Sequence, residues 1–283
     1  MYPEKWRETC DPFALPFTEF RLTEILGYPH AGNDVFRVRG IYRGEEVTAY
    51  IKAARNGNGS APGAILREAA LLKQLEDPLF PKLIDCGAGD IPFSVTLEMP
   101  GERLSAILGD NIGLASMEYL AEYGEALARL HRLHIEVPPV PDRRFFHAPG
   151  EEILSRFGLS GLSAFFASAP KTAARCFCHG DCHYANVLFA EKRVSAILDF
   201  ELAGFGDRDF DIAWALFLRP GQRFLRTDEE RREFLRGYAR IGKYDINAVR
   251  FYMAQCYAWF LPIGADDADY CEYALNEIKK FCM

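Results

Sequence analysis

The feature that most constrains the fold is a stretch at residues 176–201, which reads CFCHGDCHYANVLFAEKRVSAILDFE. It contains two short runs rich in β-branched and aromatic residues, at 187–189 and 194–198, joined by a polar segment. This pattern predicts a β-hairpin. The predicted hairpin is therefore flanked on both sides by many polar residues.

Carboxylate and amide side chains flank the predicted hairpin. Asp181 and Asn186 precede its first strand, and Asp199 and Glu201 follow its second. Because antiparallel pairing brings those two ends together, we expect the four side chains to converge. Asn186, Asp199 and Glu201 would form an oxygen-rich site suited to Mg²⁺, which completes its shell with water and phosphate. Asp181 would remain to accept or orient the proton of an attacking hydroxyl.

The order and spacing of these residues resemble a known pair of motifs. The chain reads HGDCHYAN at residues 179–186 and DFE at 199–201, and its Asp-to-Asn spacing matches the protein-kinase pattern H-R-D-x-x-x-x-N followed by D-F-G. The glycine and the final glutamate depart from protein kinases. Both match the H-G-D-x-H-x-x-N and D-x-[DE] signatures of the aminoglycoside phosphotransferase and choline kinase family, which the chain resembles over about residues 20–280.

The resemblance implies an α+β, two-lobed, protein-kinase-like fold. A small antiparallel-sheet lobe with one helix would occupy residues 1–99, and a larger, mostly helical lobe residues 100–283. The implied activity is that of a small-molecule kinase, which transfers the γ-phosphate of ATP, or of GTP, to a hydroxyl with the help of Mg²⁺. In this assignment Asp181, Asn186 and Asp199 are the catalytic residues.

A lysine and a glutamate upstream fit the same assignment. Lys52 lies inside an otherwise apolar predicted strand, where most lysines simply face solvent. On the predicted helix 64–75, Glu68 falls in the apolar stripe that includes Ile65 and Leu72. A carboxylate buried there needs a cation, and Lys52 is the nearest candidate. The resemblance implies that such a pair positions the nucleotide phosphates.

Two further segments are implied to contact the nucleotide. Gly32 lies in the connection between the first two predicted strands, where glycine lets backbone amides approach an anion; an ordinary hairpin is the alternative. A strand predicted at 92–99 ends before Pro100. The resemblance makes this the hinge, where the backbone of Glu98 and Met99 would meet adenine.

The segment after the second motif constrains the acceptor. Only seven residues separate Asp199 from Asp207, whereas protein kinases need a longer segment to bind and respond to a polypeptide. We therefore expect a small acceptor such as an aminoglycoside, an amino alcohol or a sugar. The net charge of −7 argues against nucleic-acid binding and is compatible with a cationic acceptor. Asp211 resembles the aspartate that braces the catalytic loop.

The remaining chain is predicted to be helical. A helix is expected at 117–133, with His131 as a hydrogen-bonded core residue. Thr227 begins a capping box, and Asp245 and Asp266 are expected to cap two later helices. The acidic residues near the last helix either favour its dipole or contact substrate. They are Asp266, Asp267, Asp269 and Glu272.

Several classes of protein are disfavoured by composition. The first residues show no secretory signal, no apolar run reaches the ~20 residues that span a bilayer, and eight cysteines in a chain of 283 residues do not suggest a disulfide framework. A cytoplasmic protein without a membrane partner is expected. The sequence does not choose between a monomer and a homodimer.

Two alternatives remain open. The first is a nucleotide-binding protein of the same fold without catalysis, although every expected polar position is filled. The second is a zinc-binding module, although a Cys-x-Cys pair lacks the usual two-residue gap. Its candidate ligands are Cys176, Cys178, His179, Cys182 and His183.

Overall fold

The computed structural model describes residues 10–29, 32–55, 59, 61–109, 114–171 and 174–282. The predictions for the amino terminus, and parts of those for the loops around residues 30 and 57, lie outside these ranges. The chain divides into two compact units. The first comprises Met1–Gly101 and Ser195–Leu202, and the second comprises Glu102–Val194 and Ala203–Met283. The sequence had instead predicted a single division after Met99.

The first unit contains a five-stranded antiparallel sheet and a helix. Its strands follow the order β1-β2-β3-β5-β4. In β3 the side chains of Ala49, Ile51 and Ala53 are buried, and the period-2 alternation leaves Lys52 on the other face. The strands β1 to β5 are Phe20–Gly27, Asp34–Tyr42, Glu45–Ala53, Leu83–Gly87 and Phe93–Leu97, and the helix α1 is Ala61–Leu72.

The second unit is mostly helical, with short strands. β6 (Glu102–Arg103) pairs with β8 (Val187–Ala190), and β7 (Arg175–Cys178) pairs with β10 (Gly204–Asp207). β9 (Arg193–Ile197) begins in this unit and continues into the first. The helices α2 to α9 are Leu104–Leu108, Met117–His131, Glu151–Arg156, Ser163–Ala167, Arg208–Leu216, Asp228–Tyr238, Ile246–Phe260 and Ala268–Cys282.

The helices α3 and α7 touch through glycines. A Cβ atom at Gly124 would lie 2.0 Å from the carbonyl oxygen of Phe234, and one at Gly237 would lie 1.9 Å from that of Ala121. Because no side chain fits, only glycine permits this backbone approach. The contact holds the helix that carries His131 against the helix that carries Tyr238.

The α+β prediction is confirmed, as is the hairpin around residue 191. β8 and β9 are joined by Glu191 and Lys192, whose φ angles of 51° and 65° are those of a type I′ hairpin turn. The capping box at Thr227 and the cap at Asp245 are also present. The last helix differs, because Asp267 accepts the N–H of Tyr270 and takes the place predicted for Asp266.

Four of the strands described here, β4, β6, β7 and β10, were not predicted, because each has only two to five residues and no clear alternation. The predicted helix 64–75 begins and ends three residues earlier, at Ala61–Leu72. Within the described ranges, no helix is both long and apolar enough to cross a bilayer.

Candidate functional site

Lys52 and Glu68 form the ion pair predicted from the sequence. Lys52 Nζ lies 2.9 Å from Glu68 Oε2, and the other oxygen, Oε1, accepts the N–H of Phe200 at 2.8 Å. Glu68 is 6% exposed, so both of its oxygens need partners. Burial raises the pKa of this carboxyl, whereas Lys52 opposes the rise.

Lys52 also contacts both acids of the DFE motif, which the sequence did not predict. Its Nζ atom lies 2.6 Å from Asp199 Oδ1 and 2.9 Å from Glu201 Oε2. Burial lowers the pKa of Lys52, but the three carboxylates outweigh it and the net shift is upward. One ammonium thus faces three carboxylates inside the first unit, a local excess of negative charge with oxygen donors, which suits a divalent cation.

The backbone at Asp199 holds its carboxylate in place. Asp199 has a φ of 68°, in the left-handed region that aspartate enters more easily than most residues. A 3₁₀ turn, Phe200–Leu202, follows at once, and the ring of Phe200 packs edge-on against Phe80, with centroids 5.3 Å apart. This packing fixes the turn from which Asp199 and Glu201 extend.

Asn33 contacts an acid of the DFE motif, and the sequence did not predict this contact. Its Nδ2 atom donates to Glu201 Oε2 at 3.3 Å, and its Oδ1 atom is buried without a hydrogen-bond partner among the described residues. The neighbouring Gly32 is exposed, has a φ of 93°, and has open space where a Cβ would be. Gly32 therefore has the backbone freedom predicted for it, whereas nothing in the sequence distinguishes Asn33 from an ordinary turn residue.

The predicted hinge residues end the strand β5. The N–H of Glu98 donates to the carbonyl of Thr48 at 3.0 Å, and its carboxylate pairs with Arg37 at 2.7 Å. The side chain and the N–H of Glu98 are therefore both engaged within the sheet.

Asp181 lies in the second unit, between β7 and the 3₁₀ turn Tyr184–Asn186. Its Oδ1 atom accepts the indole N–H of Trp214 at 2.7 Å, and its backbone carbonyl accepts Nδ2 of Asn186 at 3.0 Å. Burial raises the pKa of Asp181, and the charge of Arg219 together with the Trp214 hydrogen bond opposes that rise. A carboxylate with a raised pKa is a stronger base than an ordinary aspartate.

Asp211 braces the loop that carries Asp181. Its two oxygens accept the backbone N–H groups of His179 at 2.8 Å and Gly180 at 2.9 Å. His131 Nε2 lies 3.0 Å from Asp211, and His131 Nδ1 lies 2.7 Å from the hydroxyl of Tyr238. His131 is thus the hydrogen-bonded core residue predicted from the sequence. These hydrogen bonds help to hold the pKa of the buried Asp211 below its usual value, although burial acts in the opposite direction.

Two arginines near Asp181 were also missed. The Cζ atom of Arg143 lies 4.6 Å from the ring centroid of Trp214, and that of Arg219 lies 5.1 Å from it. Arg143 also donates to the carbonyl of Gly180. Arg143 is 38 residues before Asp181 and Arg219 is 38 after it, so no local pattern links them.

The set of zinc ligands predicted from the sequence is wrong, because the structure brings together a different group of residues. Within the described residues, the only group with metal-ligand spacing is His131, Cys176 and Cys178, which excludes His179, Cys182 and His183. Both ring nitrogens of His131 already contact Asp211 and Tyr238, so this group is not a free zinc site. Cys182 is fully buried.

The predicted site residues fall in both units. The first unit contains Gly32, Lys52, Glu68, Glu98, Met99, Asp199 and Glu201, whereas the second contains Asp181 and Asn186. Asp266, Asp267, Asp269 and Glu272 are all exposed around the start of α9. These acids were predicted either to interact with the helix dipole or to contact substrate. Asp267 accepts the N–H of Tyr270 as a helix cap, which favours the interaction with the helix end.

Residues 30–252 match the family model described as the phosphotransferase enzyme family. No curated protein matches this sequence closely enough to count as a relative.

Solved structures share the fold at low identity. The macrolide 2'-phosphotransferase MphH from Brachybacterium faecium is 17% identical, with 92% of this chain and 91% of that chain covered and a TM-score of 0.55. APH(2")-IIa in a ternary complex with streptomycin and ATP is 19% identical, with the same coverage and a TM-score of 0.58. A mutant of the aminoglycoside phosphotransferase APH(4)-Ia, solved with AMP-PNP and hygromycin B, is 15% identical, covers 92% and 94%, and has a TM-score of 0.58. The predicted fold is confirmed.

Proposed function

Because the chain belongs to the phosphotransferase enzyme family, we propose that it transfers the γ-phosphate of ATP to a hydroxyl of a small molecule, with Mg²⁺ as its metal ion. The observation that carries this proposal is the ion pair of Lys52 with Glu68 and its contact with Asp199. A buried lysine that joins a helix glutamate to the aspartate of a D-x-[DE] motif is the arrangement needed to position a nucleotide phosphate.

Asp181 is proposed to accept or orient the proton of the acceptor hydroxyl. Trp214 fixes one of its oxygens, and the backbone hydrogen bonds of Asp211 fix the loop beneath it. Its side chain is 24% exposed, which leaves room for a hydroxyl to approach the second oxygen. The upward shift of its pKa, caused by burial, strengthens it as a proton acceptor.

Asn186, Asp199 and Glu201 are proposed as ligands of Mg²⁺. They supply amide and carboxylate oxygens, the donors that this ion prefers. The Nδ2 atom of Asn186 is engaged by the carbonyl of Asp181, so Oδ1 is the atom available as a ligand. Mg²⁺ held by these residues would supply positive charge to neutralise the charge that develops during transfer.

Lys52 is proposed to exchange partners when nucleotide binds. Its contacts with Asp199 and Glu201 involve side chains that are 36% and 28% exposed, whereas Glu68 is only 7% exposed. The Glu68 contact therefore persists and aims the ammonium, while the ammonium turns from the two outer carboxylates to the phosphates.

The nucleotide base is assigned to the end of β5. Since the N–H of Glu98 is bonded to Thr48, the groups proposed for the adenine edge are the carbonyl of Glu98 and the N–H of Met99. Gly32 is proposed to approach the phosphates, because its φ of 93° is a conformation that glycine adopts without strain. An enzyme that prefers GTP would show a lower KM for GTP than for ATP when nucleoside diphosphate release is measured.

The test is a coupled ADP-release screen over amino alcohols, sugars, aminoglycosides and hydroxy acids, followed by the variant Asp181→Asn. We expect this variant to reduce turnover about 10²- to 10⁴-fold, while ATP affinity measured by calorimetry stays within about threefold, since Asp181 contacts the acceptor. Asp90→Asn, at an exposed loop aspartate, is the matched control and should turn over normally. Unchanged turnover in Asp181→Asn would exclude this residue as the catalytic aspartate. ATP binding without transfer to any acceptor would support the catalytically silent alternative.

A further inference from the structure

Two guanidinium groups lie against one indole ring beside Asp181. Trp214 donates its N–H to Asp181 Oδ1 at 2.7 Å, and the Cζ atoms of Arg143 and Arg219 lie 4.6 Å and 5.1 Å from the ring centroid of Trp214. Contacts at this distance are cation–π interactions. Both positive charges are therefore held in the neighbourhood of the carboxylate to which we assign the acceptor hydroxyl.

The protein gives these guanidiniums neutral partners. Arg143 donates to the carbonyl of Gly180. Arg219 donates to the carbonyls of Trp214 at 2.8 Å and Phe217 at 3.4 Å. Among the described residues, the hydrogen bonds that these two guanidiniums make go to backbone carbonyls. A guanidinium has five N–H donors, so each retains donors for an external group.

The nearby carboxylates have other partners. Asp211 already accepts hydrogen bonds from His179, Gly180 and His131. Asp181 attracts both arginines, but burial still lowers the pKa of Arg143 and of Arg219. Burying a charge without a paired counter-charge is costly, and an anion bound between the two arginines would reduce that cost.

We propose that the acceptor carries an anionic group, a carboxylate or a phosphate, which Arg143 and Arg219 bind while Asp181 receives the hydroxyl to be phosphorylated. This inference rests on the proposed function and names the acceptor class. Arginine suits the role because its planar fork binds carboxylate and phosphate in a bidentate manner. The net charge of −7 favoured a cationic acceptor, but a net charge describes the whole surface, and two guanidiniums at the reacting carboxylate repel a cation locally.

Arg143 is held rigidly enough to select a ligand. The next residue but one, Phe145, packs on Trp214 with centroids 5.1 Å apart, and its carbonyl accepts Nε2 of Gln255 at 2.7 Å. These contacts attach the connector that contains Arg143 to α6 and α8. A guanidinium fixed in this way loses little freedom when an anion binds. The adjacent Arg144 is exposed and provides a natural control.

The first experiment compares anionic acceptors with neutral and cationic ones. The full-length protein with MgATP is assayed for ADP release with glycerate and glyceramide, with glycerol 3-phosphate and glycerol, and with ethanolamine and an aminoglycoside. We expect kcat/KM for the better anionic acceptor to exceed that of its neutral partner by about 10- to 100-fold. The glycerate and glycerol 3-phosphate arms distinguish a carboxylate from a phosphate.

The second experiment tests the residues. Arg143→Met should raise KM for the anionic acceptor about 10- to 100-fold and should reduce the ratio between the anionic and neutral members of a pair. Arg143→Lys, which keeps the charge but not the fork, should lie between Arg143→Met and the unmodified protein. Arg144→Met should retain both the KM and the ratio. Circular dichroism melting of each variant identifies any that fails to fold, and the lysine variant then serves as the test.

The outcomes separate the two proposals. Transfer to neutral or cationic acceptors in preference to the anionic ones would overturn the acceptor inference and leave the kinase proposal standing. An anionic preference that Arg143→Met and Arg144→Met alter equally would overturn the assignment to Arg143. Absence of transfer to every acceptor, despite ATP binding, would overturn the proposed function and this inference with it.

Discussion

Lys52 in the first unit and Arg219 in the second are partly buried cations with opposite surroundings. Lys52 Nζ lies within 2.9 Å of three carboxylates, whereas the guanidinium of Arg219 donates to two neutral carbonyls and stacks on aromatic rings. The carboxylates raise the pKa of Lys52 despite its burial. Burial lowers the pKa of Arg219, although Asp181 acts against it.

The difference indicates what each group of side chains is suited to bind. An excess of carboxylates around one ammonium is relieved by a further cation, and an excess of guanidinium donors is relieved by an anion. This contrast supports the proposals of a metal and phosphate site in the first unit and of an anionic acceptor site in the second. Variants that alter one side at a time test this contrast.

The largest effect is expected from Asp199→Asn. The change removes a carboxylate charge from the proposed Mg²⁺ ligands and should reduce kcat/KM by about 10³-fold, with a rise in the Mg²⁺ concentration needed for half-maximal rate. A titration of activity against Mg²⁺ measures both. Glu24→Gln, at an exposed position on β1, is the control and should leave the titration unchanged. A variant that is slow but keeps its normal Mg²⁺ requirement would remove Asp199 from the metal site.

Lys52→Met should cost stability as well as activity. It leaves the buried Glu68 facing Asp199 and Glu201 without their ammonium, and breaking a buried ion pair costs about 3 kcal/mol. Since the pKa of Lys52 is raised, its contribution is complete below its ordinary pKa of about 10.4 and is lost only above that value. Urea unfolding at pH 7 measures the loss.

The same unfolding measurement at pH 5, and again with Mg²⁺, tests the cause of that loss. Protonation of the carboxylates, or a divalent cation, should recover part of the stability in Lys52→Met. Arg39→Met breaks the exposed pair with Glu24 and should cost less than about 1 kcal/mol. If Mg²⁺ stabilised both variants equally, the carboxylate excess would not be its binding site.

Local signals in the sequence predicted much of the fold and part of the site. The hairpin turn at residue 191 and the cap at Thr227 depend on neighbours in the chain. The position of Glu68 in an apolar stripe predicted the contact with Lys52, because a buried carboxylate requires a cation. These features could be predicted because a short segment determines each of them.

The contacts of Trp214 could not be predicted in the same way. Its neighbours Arg143 and Arg219 lie on a proline-rich connector and after a helix, and a cation–π contact imposes no spacing on the sequence. Asn33 is hydrogen-bonded to Glu201, which lies 168 residues further along the chain. The zinc hypothesis failed because it relied on closeness in sequence alone. Residues close in sequence were assumed to converge, whereas among the described residues only Cys176 and Cys178 of the five candidates lie within metal-ligand spacing, together with His131.

The smallest effect concerns the pH dependence of Asp181. Burial raises the pKa of this carboxyl and Arg219 opposes the rise, so the acid limb of kcat/KM should lie above the ordinary aspartate value of about 3.9. Activity requires the ionised carboxylate and is therefore lost as the pH falls through that pKa. Arg219→Met removes the opposing charge, and the limb should therefore move to higher pH.

A profile of kcat/KM against pH for the unmodified protein and for Arg219→Met measures this shift, because kcat/KM reports the free enzyme. Arg223→Met, at an exposed arginine four residues further on, tests whether any loss of positive charge has the same effect. A purely structural role for Arg219 would lower the rate without moving the limb. A limb that moved to lower pH would mean that Arg219 destabilises the ionised carboxylate, which a positive charge near Asp181 cannot do.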